Sequence, residues 1–326
     1  MADVNAQFEV LRELRPTDGG ERGQFNCGIY LVRDRSTGQV CVQKRLNRGS
    51  AGRWSFLREA RLIHDNRHPN IIGYIDHSWP RGGPIGSIYT EYCDLGALDS
   101  MIIRYRQNER PVPEAFVWYI LYEMTKALAF LHEGVVMTPG EYGRWSHVAV
   151  IHRDIKPGNM FLSSFEGGYV RCVLGDFGIA MSSDDHRDRS GEMLRDVFDR
   201  DWSSPEGPSN RRADVFSLGK VICSLCSLQI YGRYINGADD IPAVYSRDLR
   251  DLVDRMMNYR AVERIQSKDL LIKLKRILFP HGQFFKLDRL PAWALPPLEE
   301  RRRVPRYQPQ EHRPFDPYQS WVHRNV

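Results

Sequence analysis

The chain has 326 residues, 42% of them hydrophobic and 27% charged, with a formal net charge of +5. That balance is ordinary for a globular protein and excludes general disorder; the small positive excess falls short of a nucleic-acid signature, so no nucleic-acid partner is expected. The length suits one large two-part domain or two modest ones, either able to bury a sizeable core.

The opening MADVNAQFEVLRELRP has neither an apolar core nor a cleavage site. No run approaches the roughly 18 apolar residues of a membrane span. An intracellular protein of the cytoplasm or nucleus, with no membrane partner, is therefore expected. Residues 25 to 45 (FNCGIYLVRDRSTGQVCVQKR) alternate polar and apolar side chains on either side of Ser36, Thr37 and Gly38, which predicts two antiparallel strands joined by a turn. WSFLREARLIHDN then places Phe56, Leu57, Ala60 and Ile63 at helical spacing and gives way to Pro69 and Asn70. Further strands are expected in NIIGYIDH and GSIYTEY, separated by the Pro/Gly-rich WPRGGPIG.

After Asp94 the pattern turns helical. EAFVWYILYEMTKALAFLH lines Phe116, Ile120, Met124, Ala127, Leu128 and Leu131 along one face, with Pro113 suited to its first turn. DVFSLGKVICSLCSL is apolar nearly all round, as a deeply buried helix is. Its Cys223 and Cys226 form a CxxC with no second pair to complete a zinc site, so packing is the expected role. Cys27, Cys41, Cys93 and Cys172 are scattered and read as free thiols. Residues 281–326 are rich in proline and arginine, have no sustained period, and are expected to form a flexible tail without an apolar face to dock.

Three short segments carry chemistry. Ile151-His152-Arg153-Asp154-Ile155-Lys156-Pro157-Gly158-Asn159 contains HRDxKxxN, a pattern that chance would supply roughly once in ten thousand chains of this length. Phosphoryl transfer needs a carboxylate to orient a hydroxyl, a cation for the migrating group and an oxygen ligand for a metal; Asp154, Lys156 and Asn159 supply these in order. Downstream lies Leu174-Gly175-Asp176-Phe177-Gly178. Alone, such a DFG would be an ordinary surface turn, but its position after HRD gives it meaning. Upstream, Lys44 ends VCVQK and Glu59 lies on the predicted helix, two charges that would otherwise pass for solvated surface residues.

In this order the segments resemble the eukaryotic protein kinase superfamily, over residues 8–280. Lysine two positions after the aspartate is similar to the serine/threonine branch, and EYCDLGALDSMI with HRDIKPGNMFL resembles the NIMA-related group. The resemblance implies an α+β, two-lobed kinase fold, with a small strand-rich N-lobe (8–92) and a larger helical C-lobe (94–280). It implies a serine/threonine kinase that transfers the γ-phosphoryl group of ATP to hydroxyls of protein substrates. Asp154 would orient the hydroxyl and Lys156 would assist it, while Asn159 and Asp176 would hold Mg²⁺. Lys44, paired with Glu59, would bind the α- and β-phosphates. The backbone of Glu91 and Cys93, after a gatekeeper Thr90, would read adenine between Val42 and Phe161, with Ile29 above. Ser204-Pro205-Glu206, Asp214 and Arg264 would be structural, Arg264 burying its guanidinium against Glu206. Ser182, Ser183 and Ser190 would be sites for an upstream kinase, with Arg153 receiving the phosphate.

Several features depart from the family. Gly19, Gly20, Gly23 and Gly28 fit GxGxxG in no single register, residues 133–150 are longer than usual and read as a surface insertion, and Asp199 stands where related kinases carry a threonine. A pseudokinase acting as a nucleotide-binding or scaffolding module is the main alternative. A small-molecule kinase is a weaker one, since an extended activation segment is present.

Overall fold

A computed structural model of the chain describes residues 7–14, 26–47, 52–79, 83, 85–138, 141–144, 148–164, 170–183, 198–279 and 289–297. It divides into two compact units, the first comprising residues up to Arg67 with Ile71–Asp94, the second His68–Asn70 with Leu95–Pro297.

The first unit is an antiparallel sheet of five strands, β1 (Phe8–Leu14), β2 (Asn26–Asp34), β3 (Val40–Asn47), β4 (Tyr74–Ser78) and β5 (Ile85–Glu91), in the order β1-β2-β3-β5-β4, with helix α1 (Gly52–Asp65) between β3 and β4. The expected hairpin is β2 and β3. Its turn closes on Asp34, whose Oδ1 accepts from the Ser36 amide at 2.8 Å and the Ser36 hydroxyl at 2.6 Å, with Gly38 left-handed at φ 71°. β1 was not anticipated, because FEVLREL buries Phe8 alone and shows no clean alternation. It is held by its ladder to β2, Phe8↔Asp34 to Leu14↔Ile29, and by Phe8 stacking on Tyr89 at 4.2 Å between centroids. On β2 the register slips between Asn26 and Gly28. Gly28 is favoured there, since other residues reach its φ of 131° only with strain and a Cβ would lie 2.7 Å from the Tyr30 ring. Gly19, Gly20 and Gly23 lie outside the described residues.

The strand expected in NIIGYIDH begins later, at Tyr74. Asn70 belongs instead to the second unit, where its amide donates to Glu123 Oε2 at 2.5 Å and to the Cys172 carbonyl at 2.9 Å. A local pattern cannot show that an asparagine is claimed by partners so distant in the chain.

The second unit is helical, with α2 (Leu98–Gln107), α3 (Glu114–Glu133), α4 (Arg211–Ser227), α5 (Arg247–Met256) and α6 (Ser267–Leu278). All six apolar positions expected on one face of α3 are buried, and the helix ends at a left-handed Gly134. Pro113 precedes α3 as its N-cap and is not in the first turn. α4 is capped by Asn210, which accepts from the Arg212 and Ala213 amides, and is buried continuously from Ala213 to Cys226. Short strands complete the unit: β6 (Gly96–Ala97) with β10 (Met160–Ser164) and β11 (Val170–Leu174), β9 (Val150–Ile151) with β12 (Met181–Ser182), and β7 (Val135–Thr138) with β8 (Glu141–Arg144). The insertion at 133–150 therefore holds a hairpin, and its Val135 enters the core with Ala129 and Leu271.

Among the described residues, Arg264 is the largest fully buried side chain. It grips Glu206 with both terminal nitrogens, at 2.7 and 3.2 Å, donates to the carbonyls of Arg212 and Asn258, and lies over the Phe216 ring. A buried charge is tolerated only when saturated in this way.

The expectation that residues 281–326 have no apolar face to dock does not hold for residues 289–297. Residues 289–297 are described and dock on α2: Ala294 is fully buried, its carbonyl accepts from Arg104 at 3.3 Å, and the Trp293 ring meets Tyr105 edge-on at 4.8 Å. AWALPP looks irregular because its apolar residues serve a 3-10 turn, Ala292–Ala294, and follow neither helix nor strand period. Trp293→Ala is expected to cost about 1–2 kcal/mol, lowering the melting temperature by several degrees. Calorimetry checks this, and an unchanged melting temperature would show the contact to be inert.

None of the six cysteines is joined in a disulfide. Among the described residues, no helix is long and apolar enough to cross a membrane.

Candidate active site

In the first unit, sheet register separates two faces. Tyr30, Gln43 and Tyr89 are opposite one another, as are Val32 and Cys41, and this face carries the cluster of Phe8, Val32, Cys41 and Tyr89. Residues directly opposite share a face, so Lys44 with Ile29, and Val42 with Thr90, occupy the other. There Lys44 Nζ meets Glu59 Oε1 of α1 at 2.7 Å, the two side chains 17% and 3% exposed. Burial makes this pair rigid, since separating it would leave the Glu59 carboxylate buried without its ammonium. At the end of β5, Glu91 exchanges bonds with Gly73, accepting from its amide at 2.7 Å and donating to its carbonyl at 2.8 Å. Cys93 is buried beyond it.

In the second unit the loop after β9 is fixed from below by Asp214, at the buried start of α4. Its carboxylate accepts from the amides of His152 at 2.8 Å and Arg153 at 2.9 Å, and from His132 Nε2 at 2.9 Å. Despite full burial, these donors hold Asp214 below the usual aspartate range. Arg153 can then keep its left-handed φ of 71°. His152 donates through Nε2 to the Gly175 carbonyl at 3.0 Å and accepts at Nδ1 from the Asp154 amide at 3.3 Å. That pairing defines a neutral imidazole, and burial pushes its pKa down accordingly. Its ring packs edge-on against Phe177 at 4.8 Å.

Above this base the charged groups converge. Lys156 Nζ lies 3.1 Å from Asp154 Oδ1, and Asn159 Nδ2 donates to the Asp154 carbonyl and to Oδ2, both at 2.8 Å. Both Asn159 donors are thus spent on Asp154, and its Oδ1 accepts from no described residue. The Gly175 amide donates to the Asn159 carbonyl at 2.9 Å, which ties the start of the DFG segment to this loop. Asp176 follows, exposed, with a left-handed φ of 59°. Phe161 on β10 is opposite Ala97 and Val173.

Asp199 joins the cluster, its Oδ2 3.5 Å from Lys156 Nζ. Burial opposes the ammonium charge, but Asp154 and then Asp199 outweigh it and hold Lys156 above the ordinary lysine range. Ser182 pairs with Val150 across β12 and β9, and Ser183 is exposed just beyond; Ser190 lies outside the described residues.

Sequence reasoning missed His132 and Ser267. His132 bridges Asp214 and the Ser267 hydroxyl, both at 2.9 Å, at the centre of the unit. The available signal was a histidine in the last turn of a helix with a long apolar face, next to the buried Leu131, where an imidazole needs a buried partner.

The chain matches the family model described as Protein kinase domain over residues 21–273. It is similar to Serine/threonine-protein kinase Nek2 of Mus musculus, 29% identical over 258 residues, covering 74% of this chain and 55% of that protein. G2-specific protein kinase fin1 of Schizosaccharomyces pombe is 30% identical over 213 residues, 61% of this chain and 28% of that protein. G2-specific protein kinase nimA of Emericella nidulans is 25% identical over 283 residues, 76% of this chain and 39% of that protein. The chain spans about half the length of these relatives or less. The expected likeness to the NIMA-related group is borne out by these names, and with the match over residues 21–273 the chain belongs to the protein kinase domain family.

Proposed function

We propose that residues 8–280 form an active serine/threonine protein kinase that moves the γ-phosphoryl group of ATP to serine or threonine hydroxyls of protein substrates. The observation that carries this reading is the joined set Asp154, Lys156 and Asn159, held rigidly on Asp214 beside the DFG segment. Asp154 orients the acceptor hydroxyl and takes its proton, and Lys156 balances charge on the migrating group. Lys44, aligned by Glu59, holds the α- and β-phosphates. The backbone of Glu91 and Cys93 reads adenine, with Val42, Phe161 and Ile29 against the base.

The donor set fits Mg²⁺: the free Asn159 Oδ1 and the exposed Asp176 carboxylate are hard oxygen ligands, few enough to leave positions for phosphate oxygens and water. When bound, Mg²⁺ neutralises charge on the phosphates. Asn159 is oriented by its two bonds to Asp154, and Asp176 by the Gly178 amide, which donates to its Oδ1 at 3.2 Å.

The relatives' names support protein substrates, and an intracellular setting is part of the same proposal. An upstream kinase acting on the serines after DFG, with Arg153 as receiver, fits the same reading.

Purified protein with ATP, Mg²⁺ and a mixed serine/threonine peptide library tests it. Lys44→Met is expected to reduce peptide phosphorylation at least about a hundredfold. It should also lower stability by about 2 kcal/mol, because Glu59 is left buried without its ammonium. Nucleotide binding without phosphopeptide in the unaltered chain would favour the pseudokinase alternative.

A further inference from the structure

The Asp199 carboxylate is aimed by its own turn. Its Oδ1 accepts from the Asp201 amide at 3.1 Å, and its carbonyl accepts from the Ser203 hydroxyl at 2.8 Å and the Trp202 amide at 3.3 Å. The turn is anchored by buried Trp202 and by Lys220 of α4, whose Nζ donates to the Asp201 carbonyl at 2.6 Å. This leaves Oδ2 directed at Lys156, with the Asp199 side chain 35% exposed to solvent. Asp201 has its own counter-ion in Arg233, at 2.9 Å. Asp154 and Asp199, by contrast, both face the ammonium of Lys156.

That arrangement has a chemical consequence. A migrating phosphoryl group adds negative charge beside Lys156, and Asp199 then competes with it for the same cation. A positively charged side chain arriving with the acceptor would neutralise Asp199 and release Lys156. A negatively charged one would add a third carboxylate to an already anionic corner. Resting on the kinase reading above, we propose that Asp199 is a specificity-determining residue that selects acceptor segments carrying arginine or lysine next to the phosphorylated hydroxyl.

The test compares full-length wild type with Asp199→Asn, which preserves an acceptor for the Asp201 amide and so the turn, but removes the charge. Each is assayed with Mg²⁺, ATP and matched serine peptides bearing arginine, alanine or glutamate immediately before or after the serine. Wild type is expected to favour the arginine peptide over alanine by about tenfold in kcat/KM and to disfavour glutamate by a similar factor, the effect of one charge pair near a surface. In Asp199→Asn the three peptides should converge to within about threefold. Wild-type turnover with no charge preference, or a preference that survives Asp199→Asn, would overturn the inference while leaving the kinase reading intact. Turnover that appears only in Asp199→Asn would also overturn it, by showing Asp199 to be an inhibitory contact. Absence of turnover in both proteins would defeat the kinase reading itself, and this inference with it.

Discussion

Asp154→Asn is expected to lower peptide phosphorylation by about a thousandfold, a barrier increase of some 4 kcal/mol, while leaving the melting temperature within about 2 °C of wild type. The two halves of this expectation have separate causes. Asparagine is nearly isosteric and its carbonyl oxygen can still accept from Asn159 Nδ2, now 2.8 Å from Asp154 Oδ2, so the loop keeps its shape. What is lost is the negative charge facing Lys156 at 3.1 Å and the capacity to accept a proton from an attacking hydroxyl. Steady-state kinetics and calorimetry on the same preparation check both halves. A loss of only a few fold would remove Asp154 from the proposed role, and a large fall in melting temperature would make it a structural residue.

Asp214→Ala should do the reverse, damaging the fold first and activity as a result. The carboxylate is 1% exposed and serves the His152 amide, the Arg153 amide and His132 at 2.8 to 2.9 Å. Its removal leaves three buried donors unpaired and releases Arg153 from a left-handed backbone, so a cost of about 3–5 kcal/mol is expected. Asp214→Asn should cost less, since one oxygen acceptor remains, although its amide group confronts donors. Urea denaturation with an unchanged m-value measures the difference. Because the folded-state pKa of Asp214 is lowered, its contribution is fully present above the unfolded aspartate value near 3.9 and is lost as the pH falls through the folded value. The wild-type advantage over Asp214→Ala should therefore hold at neutral pH and shrink only in strong acid.

Much of this was legible in the sequence because phosphoryl transfer demands fixed residue types at short spacing. Asp154, Lys156 and Asn159 fall within one loop, so the geometry that joins them is local, and the structure brings them together. Lys44 and Glu59 were legible through period, a strand position and a helix position that sheet register then places on one face. What escaped depends on long-range partners. His132 and Ser267 escaped: His132 meets Asp214 across 82 residues of chain and Ser267 across 135, and no local window carries that information. Asn70 reads as part of a strand because its apolar neighbours Ile71 and Ile72 look like one, whereas its amide belongs to Glu123 and Cys172. Trp293 was lost in a proline-rich stretch because a single aromatic anchor on α2 leaves no periodicity.

The central claim is transfer of phosphate from ATP to protein hydroxyls, and it is tested most directly by identifying the product. Full-length protein, Mg²⁺ and ATP labelled in the γ-phosphate would be incubated with three peptide libraries whose only hydroxyl residues are serine, threonine or tyrosine. Mass spectrometry and label counting then give the site and amount of phosphate. The account predicts stoichiometric label on serine or threonine peptides, little on tyrosine peptides, and loss of all three signals in Asp154→Asn or without Mg²⁺. Labelled inorganic phosphate with no phosphopeptide, or label that persists undiminished in Asp154→Asn, would contradict it.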